Sequence, residues 1–252
     1  MKKFNLCVPF LALLLHWPVS AKSGKLIEST EYQTQVLELY STQSCSSCPP
    51  AQKWVSKLSS HPQLFKSFIP VVLHVDYWDY LGWKDPFSSN QFTLRQRRYA
   101  SVWNSSRIYT PMFVLNGQEW RVSGKEQLNS RRSKVGVLRA KLVSETQDEL
   151  SYEVSFNPTS KAQLNQKLVV LSSIIGSGIS TRVSAGENSG KILFHDFLAL
   201  QLRKNPIVKS GSIFKAVIKI PRSSHEAAEK HIVFWVANGE TMRPIQSVAS
   251  PL

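Results

Sequence analysis

Cys45 and Cys48 are the residues of this chain whose type and spacing are best suited to chemistry. Two thiols separated by two residues can close a small disulfide, and the thiolate of the first is stabilised where it precedes a helix. So short a loop removes little conformational entropy from the unfolded chain, which favours a redox centre over a stabilising crosslink. We expect Cys45 to be the more exposed nucleophile and Cys48, in the first helical turn, to be the resolving thiol.

Other interpretations of the same two thiols stay open at this point. A disulfide without turnover would leave the protein a non-catalytic binding module. Thiolates also bind Zn²⁺ or Cu(I), and a copper carrier would need a further ligand, for which the chain offers His61, His74 and His195. Because no second C-x-x-C motif accompanies the first, we predict no metal site and no cofactor beyond a redox-active Cys45–Cys48 disulfide.

The elements predicted around the cysteines would hold them at the start of a helix. Residues 36–40 are an apolar run of strand length, and a polar turn leads from it to Cys45. A helix with one buried stripe is indicated by apolar residues at helical spacing, namely Ala51, Trp54, Val55 and Leu58. Residues 69–75 predict a second, central strand that is buried on both faces. The predicted order is therefore strand, dithiol, helix, strand.

A long inserted segment, residues 76–106, follows the second strand, with aromatic residues at its start and arginines at its end. We predict a helix within it, over residues 91–103. Asn116-Gly117 then indicates a hairpin that joins residues 112–115 to 119–122. Residues 123–126 have capping-box spacing and predict a further helix, one face of which would be formed by Leu128, Val135, Leu138 and Leu142.

The second half of the chain has a different period. Six strand-like segments separated by turn residues follow residue 145, and the alternation is clearest over residues 213–220. We therefore predict an α/β domain over residues 22–144 and an antiparallel β-sandwich over residues 145–252. The strand-rich half contains no recognisable catalytic pattern, so we assign it to scaffolding or partner binding.

The N-terminus and the charge set the expected compartment and partners. Two lysines, a short apolar run and Val19-Ser20-Ala21 predict a signal peptide over residues 1–21, cleaved after Ala21, while the run is too short for a membrane anchor. Export to the periplasm or secretion would suit dithiol chemistry. The formal charge is +14, and residues 84–141 hold twelve basic against three acidic residues. Without a nucleic-acid-binding motif, we predict a solvated basic surface and no nucleic-acid or membrane partner.

Three strings extend the pattern beyond a bare C-x-x-C motif. They are S-C-S-S-C-P-P (residues 44–50), H-V-D-Y-W-D-Y-L-G-W-K-D-P-F (residues 74–87) and Y-T-P-M-F-V-L-N-G (residues 109–117). Together with Gly186-Glu187-Asn188-Ser189-Gly190, they resemble the secreted thioredoxin-like family catalogued as domain of unknown function 1223. The resemblance covers most of the chain after residue 21. The sequence differs from ordinary thioredoxins in the Ser46-Ser47 dipeptide and in the inserted segment. These differences leave the direction of electron flow open.

The resemblance implies a thioredoxin-like fold for the first half and a thiol–disulfide oxidoreductase activity on cysteine-containing exported proteins, with an unidentified redox partner. It implies that Pro111 is cis and that Thr110 pairs with the substrate chain. Glu38 would be a buried carboxylate that relays protons to the resolving thiol, although an exposed position on a strand edge is the alternative. Trp78 belongs to an aromatic cluster that either packs the insert or forms a docking wall for peptides.

Overall fold

The fold was analysed in a computed structural model, which describes residues 24–122, 128 and 132–252. The predicted signal peptide and the capping box at residues 123–126 lie outside the described residues. Within the described part, no helix has the length and apolar content needed to cross a bilayer.

The described residues form fifteen strands, numbered here in chain order. They are β1 (Leu26–Glu28), β2 (Gln35–Ser41), β3 (Phe68–His74), β4 (Met112–Leu115), β5 (Gln118–Trp120), β6 (Gly136–Glu145), β7 (Glu149–Pro158), β8 (Leu168–Ser177), β9 (Ile179–Arg182), β10 (Ile192–His195), β11 (Leu198–Pro206), β12 (Val208–Ser210), β13 (Ile213–Pro221), β14 (Glu229–Asn238) and β15 (Pro244–Pro251). The α-helices are α1 (Cys48–Ser56), α2 (Asn90–Val102) and the single-turn α3 (Lys161–Leu164). Two short 3₁₀ helices cover Lys57–Ser60 and Asp79–Leu81.

An eight-stranded sheet with the order β15-β14-β8-β11-β3-β2-β4-β5 forms the centre of the molecule. β2 and β3 run parallel along their whole length, and β11 lies parallel to β3 on its other side. Every residue of β3 is buried, as expected for a strand covered on both faces. The carboxyl ends of β2 and β3 therefore lie side by side, with Ser41 opposite His74, at the end of the sheet where α1 begins.

Helices α1 and α2 cover opposite faces of this sheet. Gln52 of α1 bonds the hydroxyl of Ser41, whereas Arg95 of α2 bonds the carboxylate of Glu38. Because successive side chains of a strand point to opposite faces, an odd separation along β2 places Ser41 and Glu38 on different sides. The residues around α1 and the residues around α2 thus form two separate environments on one sheet.

A second, five-stranded antiparallel sheet has the order β1-β6-β7-β13-β12. It packs on the outer strands of the central sheet through a shared apolar core, in which the rings of Tyr152 and Phe234 meet edge to face at 4.9 Å. A short pair, β9 and β10, carries His195 towards α1.

Most local predictions in the first half are confirmed, and one is wrong. The strands at residues 36–40 and 69–75, the helices after Cys48 and at residues 91–103, and the Asn116-Gly117 hairpin are present. The predicted helix through Leu128 and Leu142 is not, because residues 136–145 form β6. Apolar residues at positions 138, 140 and 142 are buried with a period of two and pair with β7. The same leucines also fit helical spacing, so the period alone was ambiguous.

The two predicted halves share one sheet. β11, from residues 145–252, pairs with β3, from residues 22–144, and β6 joins the strands of the second half. This contact is limited to one residue pair, Leu198 with Val72. Strands from both sides of residue 144 therefore contribute to the central sheet, and the division into domains at this residue stays a prediction.

Candidate dithiol site

The two cysteines lie where the sequence placed them, between the end of β2 and the start of α1. Cys48 is the first residue of the helix, and its backbone N–H donates to the carbonyl oxygen of Cys45 at 3.2 Å. The two prolines that follow occupy the first turn, where their missing N–H groups cost no helical hydrogen bond. Both thiols are free.

The sulfur of Cys45 has two oxygen neighbours. It lies 3.1 Å from Ser47 Oγ and 3.8 Å from the carbonyl oxygen of Thr110. A hydrogen bond from the Cys48 thiol, opposed by burial and helped by the side chains of Ser47 and Thr110, lowers the pKa of Cys45 to about 5. Cys45 is therefore a thiolate at neutral pH.

Cys48 has the opposite preference. The hydrogen bond that it donates to Cys45, together with its burial, raises the pKa of the Cys48 thiol, although the Ser41 hydroxyl and the Thr42 backbone N–H oppose this rise. One proton is thus held between two sulfurs, and it stays on Cys48. This asymmetry matches the predicted roles of attacking and resolving thiol.

Cys45 is less accessible than its predicted role suggests. It is 2% exposed and Cys48 is fully buried, so the predicted order of exposure holds but Cys45 does not present an open surface. A turn from the second half of the chain, residues 186–190, lies against the dithiol loop, and we call it the strap.

Direct hydrogen bonds hold the strap on the dithiol loop. The buried side chain of Asn188 donates to the carbonyl oxygens of Gln43 and Cys45, at 2.9 and 2.8 Å. Glu187 accepts from the backbone N–H of Ser46 at 2.7 Å. Gly186 has φ +74°, and a side chain there would approach the Ser44 hydroxyl at 3.3 Å. The sequence marked this turn through the family resemblance, but no local spacing indicated that it would contact the cysteines.

The Thr110–Pro111 peptide bond is cis, as the resemblance implied. It precedes β4, which pairs with β2, and this pairing brings the Thr110 carbonyl towards the Cys45 sulfur. The structure therefore brings Thr110 and Pro111 to the dithiol, while their binding of a substrate chain stays a prediction.

Of the aromatic residues in the insert, Tyr77 is the one whose hydroxyl is affected by the thiols. Burial raises the pKa of Tyr77 to about 12, and the charges of Cys48 and Cys45 add to the rise. Trp78 instead stacks on Tyr80, with ring centroids 6.4 Å apart, and packs against the main core. Its predicted contact with substrate stays a prediction.

Glu38 does not lie at the dithiol. Its fully buried carboxylate accepts two hydrogen bonds from Arg95, at 2.7 and 2.8 Å, and one each from the hydroxyls of Tyr40 and Tyr99. These partners lie on the α2 face, whereas Cys48 belongs to α1 on the other face. Glu38 therefore holds α2 on the sheet, and the proton relay to Cys48 that we expected of it is not supported by its position.

A buried polar network on the α1 face was missed by the sequence analysis. Gln52 contacts the rings of His74 and His195 at 2.8 and 2.5 Å, and His74 pairs with Asp85 at 2.8 Å. Burial and the charge of His74 lower the pKa of His195 to about 3. Burial opposes the ionisation of Asp85, but His74 outweighs it and the pKa of Asp85 is lowered. Contacts across as many as 152 positions of sequence build this network, so spacing carried no signal for it.

The histidines that a metal carrier would need are engaged elsewhere. His74 and His195 belong to the network, and His61 packs edge-on against Phe68 at 5.1 Å. Within residues 24–122, 128 and 132–252, no group of three or more His, Cys, Asp or Glu side chains is arranged to hold a metal ion.

Comparison with known proteins finds one family and two similar solved structures. Residues 36–237 match the family described as "Protein of unknown function (DUF1223)". A crystal structure of an Agrobacterium tumefaciens protein is similar, with 20% identity and a TM-score of 0.56 over 89% of this chain and 94% of the other. HBP35 of Porphyromonas gingivalis is also similar, with 11% identity and a TM-score of 0.67 over 89% of this chain and 76% of the other. No curated protein matches the sequence significantly.

Proposed function

The chain belongs to the DUF1223 family of proteins of unknown function, and we propose that it is an exported thiol–disulfide oxidoreductase built on a thioredoxin-like arrangement. The observation that carries the proposal is the position of two free cysteines at the start of α1, where the backbone N–H of Cys48 donates to the carbonyl oxygen of Cys45 at 3.2 Å. Strand β2, α1, strand β3 and the hairpin that begins after a cis proline surround this contact in the order that the resemblance implies. The predicted signal peptide at residues 1–21 supports export.

The proposed reaction proceeds through a mixed disulfide on Cys45. The Cys45 thiolate attacks one sulfur of a substrate disulfide and the other substrate sulfur leaves as a thiolate. Cys48 then attacks the Cys45 sulfur and its proton passes to the second substrate sulfur, which leaves as a thiol while the Cys45–Cys48 disulfide closes. Two electrons pass from the protein to the substrate. The reverse sequence, which starts from the oxidised protein, oxidises a substrate dithiol.

The ionisation of Cys45 favours the oxidising direction. A thiolate with a pKa near 5 stabilises the reduced protein at neutral pH, and a couple whose reduced form is stabilised is a stronger oxidant. We therefore infer that the protein accepts electrons from cysteine-containing exported proteins and passes them to a separate redox partner. Because Cys45 is 2% exposed and the strap is bonded to its loop, we infer that a substrate displaces the strap to reach the sulfur.

A reduced, unfolded model protein with several cysteines tests the proposal, with oxidised glutathione as the terminal oxidant. We expect disulfides to form faster with the wild-type protein, the Cys45→Ser variant to be inactive and the Cys48→Ser variant to accumulate a mixed disulfide through Cys45. Loss of the mixed disulfide on reduction with dithiothreitol would identify the bond. Equal rates with wild type and Cys45→Ser would overturn the proposal, and stoichiometric Cu(I) binding that depends on a histidine would favour a carrier.

A further inference from the structure

The resolving step needs Cys48 as a thiolate, in a place that opposes ionisation. Cys48 is fully buried, and Glu38, the carboxylate expected to assist it, lies on the other face of the sheet. A buried thiolate must be stabilised by donated hydrogen bonds, because water does not reach it. Cys48 and Gln52 lie one turn apart on the buried face of α1, and Gln52 bonds the hydroxyl of Ser41 at the end of β2. This places the Ser41 hydroxyl beside Cys48, where it and the backbone N–H of Thr42 favour the thiolate.

The direction of the Ser41 hydroxyl is fixed by Gln52. Ser41 is fully buried, and its oxygen accepts a hydrogen bond from Gln52 Nε2 at 2.7 Å. Because this bond occupies the oxygen as an acceptor, the hydroxyl hydrogen remains for Cys48. An amide carries no proton that it can give up, so Gln52 can orient the hydroxyl but does not carry the proton of Cys48.

The orientation of Gln52 is fixed in turn by the two histidines. Its Nε2 also faces His74 Nε2 at 2.8 Å, and its Oε1 faces His195 Nδ1 at 2.5 Å. His74 Nδ1 lies 2.8 Å from the Asp85 carboxylate, which fixes the ring with Nε2 towards Gln52.

Gln43 completes the chain of donors. It contacts His195 Nε2 through Nε2 at 3.0 Å and accepts from the Trp83 indole at 2.9 Å. His195 is therefore an acceptor at Nε2 and a donor at Nδ1. The Gln52 amide is thus held on both sides, with Nε2 facing Ser41 and His74 and Oε1 facing His195.

We propose that Ser41, Gln52 and His74 are positioning residues for the resolving step. Together they hold the Ser41 hydroxyl as a hydrogen-bond donor to the Cys48 thiolate while that thiolate attacks Cys45. This inference rests on the proposed function. The proton that leaves Cys48 ends on the departing substrate thiolate, and no group of the network gains or loses one.

Other titratable groups surround the same elements and bear on the pH at which the test is read. Cys45 and Tyr77 face Cys48. His195 and Asp79 lie within electrostatic reach of the His74–Asp85 pair. None of the variants below removes one of these four groups, so their charges are common to every protein compared.

The test is the reaction of the reduced protein with one equivalent of the aromatic disulfide dithiobisnitrobenzoate. Attack by Cys45 releases one coloured thiolate, and attack by Cys48 on the resulting mixed disulfide releases a second, so the two steps appear as two phases. Ser41→Ala removes the donor. Gln52→Glu replaces the amide donor by a carboxylate that accepts from Ser41, which turns the hydroxyl hydrogen away from Cys48.

A lost hydrogen bond to an ionised group shifts the pKa by about one to two units. The greater basicity of the thiolate recovers about half of the effect on a logarithmic scale. We therefore expect the second phase to slow about threefold to tenfold in both variants, with the first phase within about twofold of wild type. Ser41→Thr, which keeps the hydroxyl, should restore the second phase.

Ser173→Ala is the matched control, because Ser173 is also a buried strand serine whose hydroxyl donates a hydrogen bond, to Gln201 at 2.6 Å. Both of its phases should equal those of wild type. A second phase at the wild-type rate in Ser41→Ala and Gln52→Glu would overturn the inference, as would parallel slowing of both phases in all variants. Absence of the first phase in wild type would overturn the proposed function itself.

Discussion

Replacing Ser47 by Ala should change the acidity of Cys45 and the redox potential of the dithiol by linked amounts. Ser47 Oγ lies 3.1 Å from the Cys45 sulfur and makes no capping bond to the helix, so its hydroxyl is available to the thiolate. A hydrogen bond to an ionised group contributes about 1.5 kcal/mol at the lower end of its range, which suits an exposed serine. Its loss should raise the pKa of Cys45 by about one unit, from about 5 to about 6.

The same loss destabilises the reduced protein and leaves the disulfide form unaffected. At pH 7 the free energy of the reduced variant rises by about 1.3 kcal/mol relative to wild type, because Cys45 is largely ionised in both proteins at that pH. For a two-electron couple this lowers the reduction potential by about 30 mV, so that the protein becomes a weaker oxidant.

The acidity is measured from the ultraviolet absorbance of the thiolate during a pH titration, and the potential by equilibration with glutathione buffers. Ser46→Ala, one position away and bonded to Glu187 instead, is the matched control and should move neither quantity. A shift in acidity without the matching shift in potential would refute the claim that Cys45 ionisation sets the potential.

Three further predictions concern stability and access. Glu38→Gln leaves Arg95 without its buried counter-ion and should lower the free energy of unfolding, measured in urea, by about 3–5 kcal/mol. The first phase of the reaction with dithiobisnitrobenzoate should be retained, and an unchanged stability would contradict this account. His195 is neutral in the folded protein, with a pKa near 3, so the unfolded chain binds an extra proton as the pH falls below about 6.5. Stability should then drop by roughly 1 kcal/mol per pH unit down to about pH 3, and His195→Gln should flatten urea-unfolding data between pH 7 and 5; equal slopes would count against a neutral buried histidine. Asn188→Ala removes the hydrogen bonds from the strap to the carbonyls of Gln43 and Cys45, so it should speed the alkylation of Cys45 by iodoacetamide several-fold. The control Ser189→Ala should leave the rate as in wild type. An unchanged rate in Asn188→Ala would show that the strap does not limit access to Cys45.

The sequence was sufficient where structure is decided by near neighbours. The strand, the C-x-x-C motif and the helix that follows it are adjacent in the chain, and the apolar spacing from Ala51 to Leu58 identified the buried face of α1. Residues 128–142 show the limit of this reasoning, because their leucines fit a helix as well as a strand. Pairing with β7, which only the assembled sheet supplies, decided the outcome.

The parts of the site that were missed depend on contacts between distant segments. Burial of Glu38 was one of the two positions that the sequence allowed. The face of β2 on which Glu38 lies is decided by the packing of α1 and α2. Gln52 had no distinguishing feature in the sequence, and its role comes from β3 and β10 bringing histidines to it. The strap reaches the dithiol loop across more than 140 residues.

The most direct test of the central claim is the alkylation of the two cysteines as a function of pH, with each site resolved by mass spectrometry. Reduced protein is treated briefly with iodoacetamide at a series of pH values. We predict that Cys45 carries nearly all the label at pH 6 and that its rate is half-maximal near pH 5, while Cys48 remains unlabelled. Equal labelling of both cysteines, or a Cys45 midpoint near the ordinary value of about 8.5, would contradict the account.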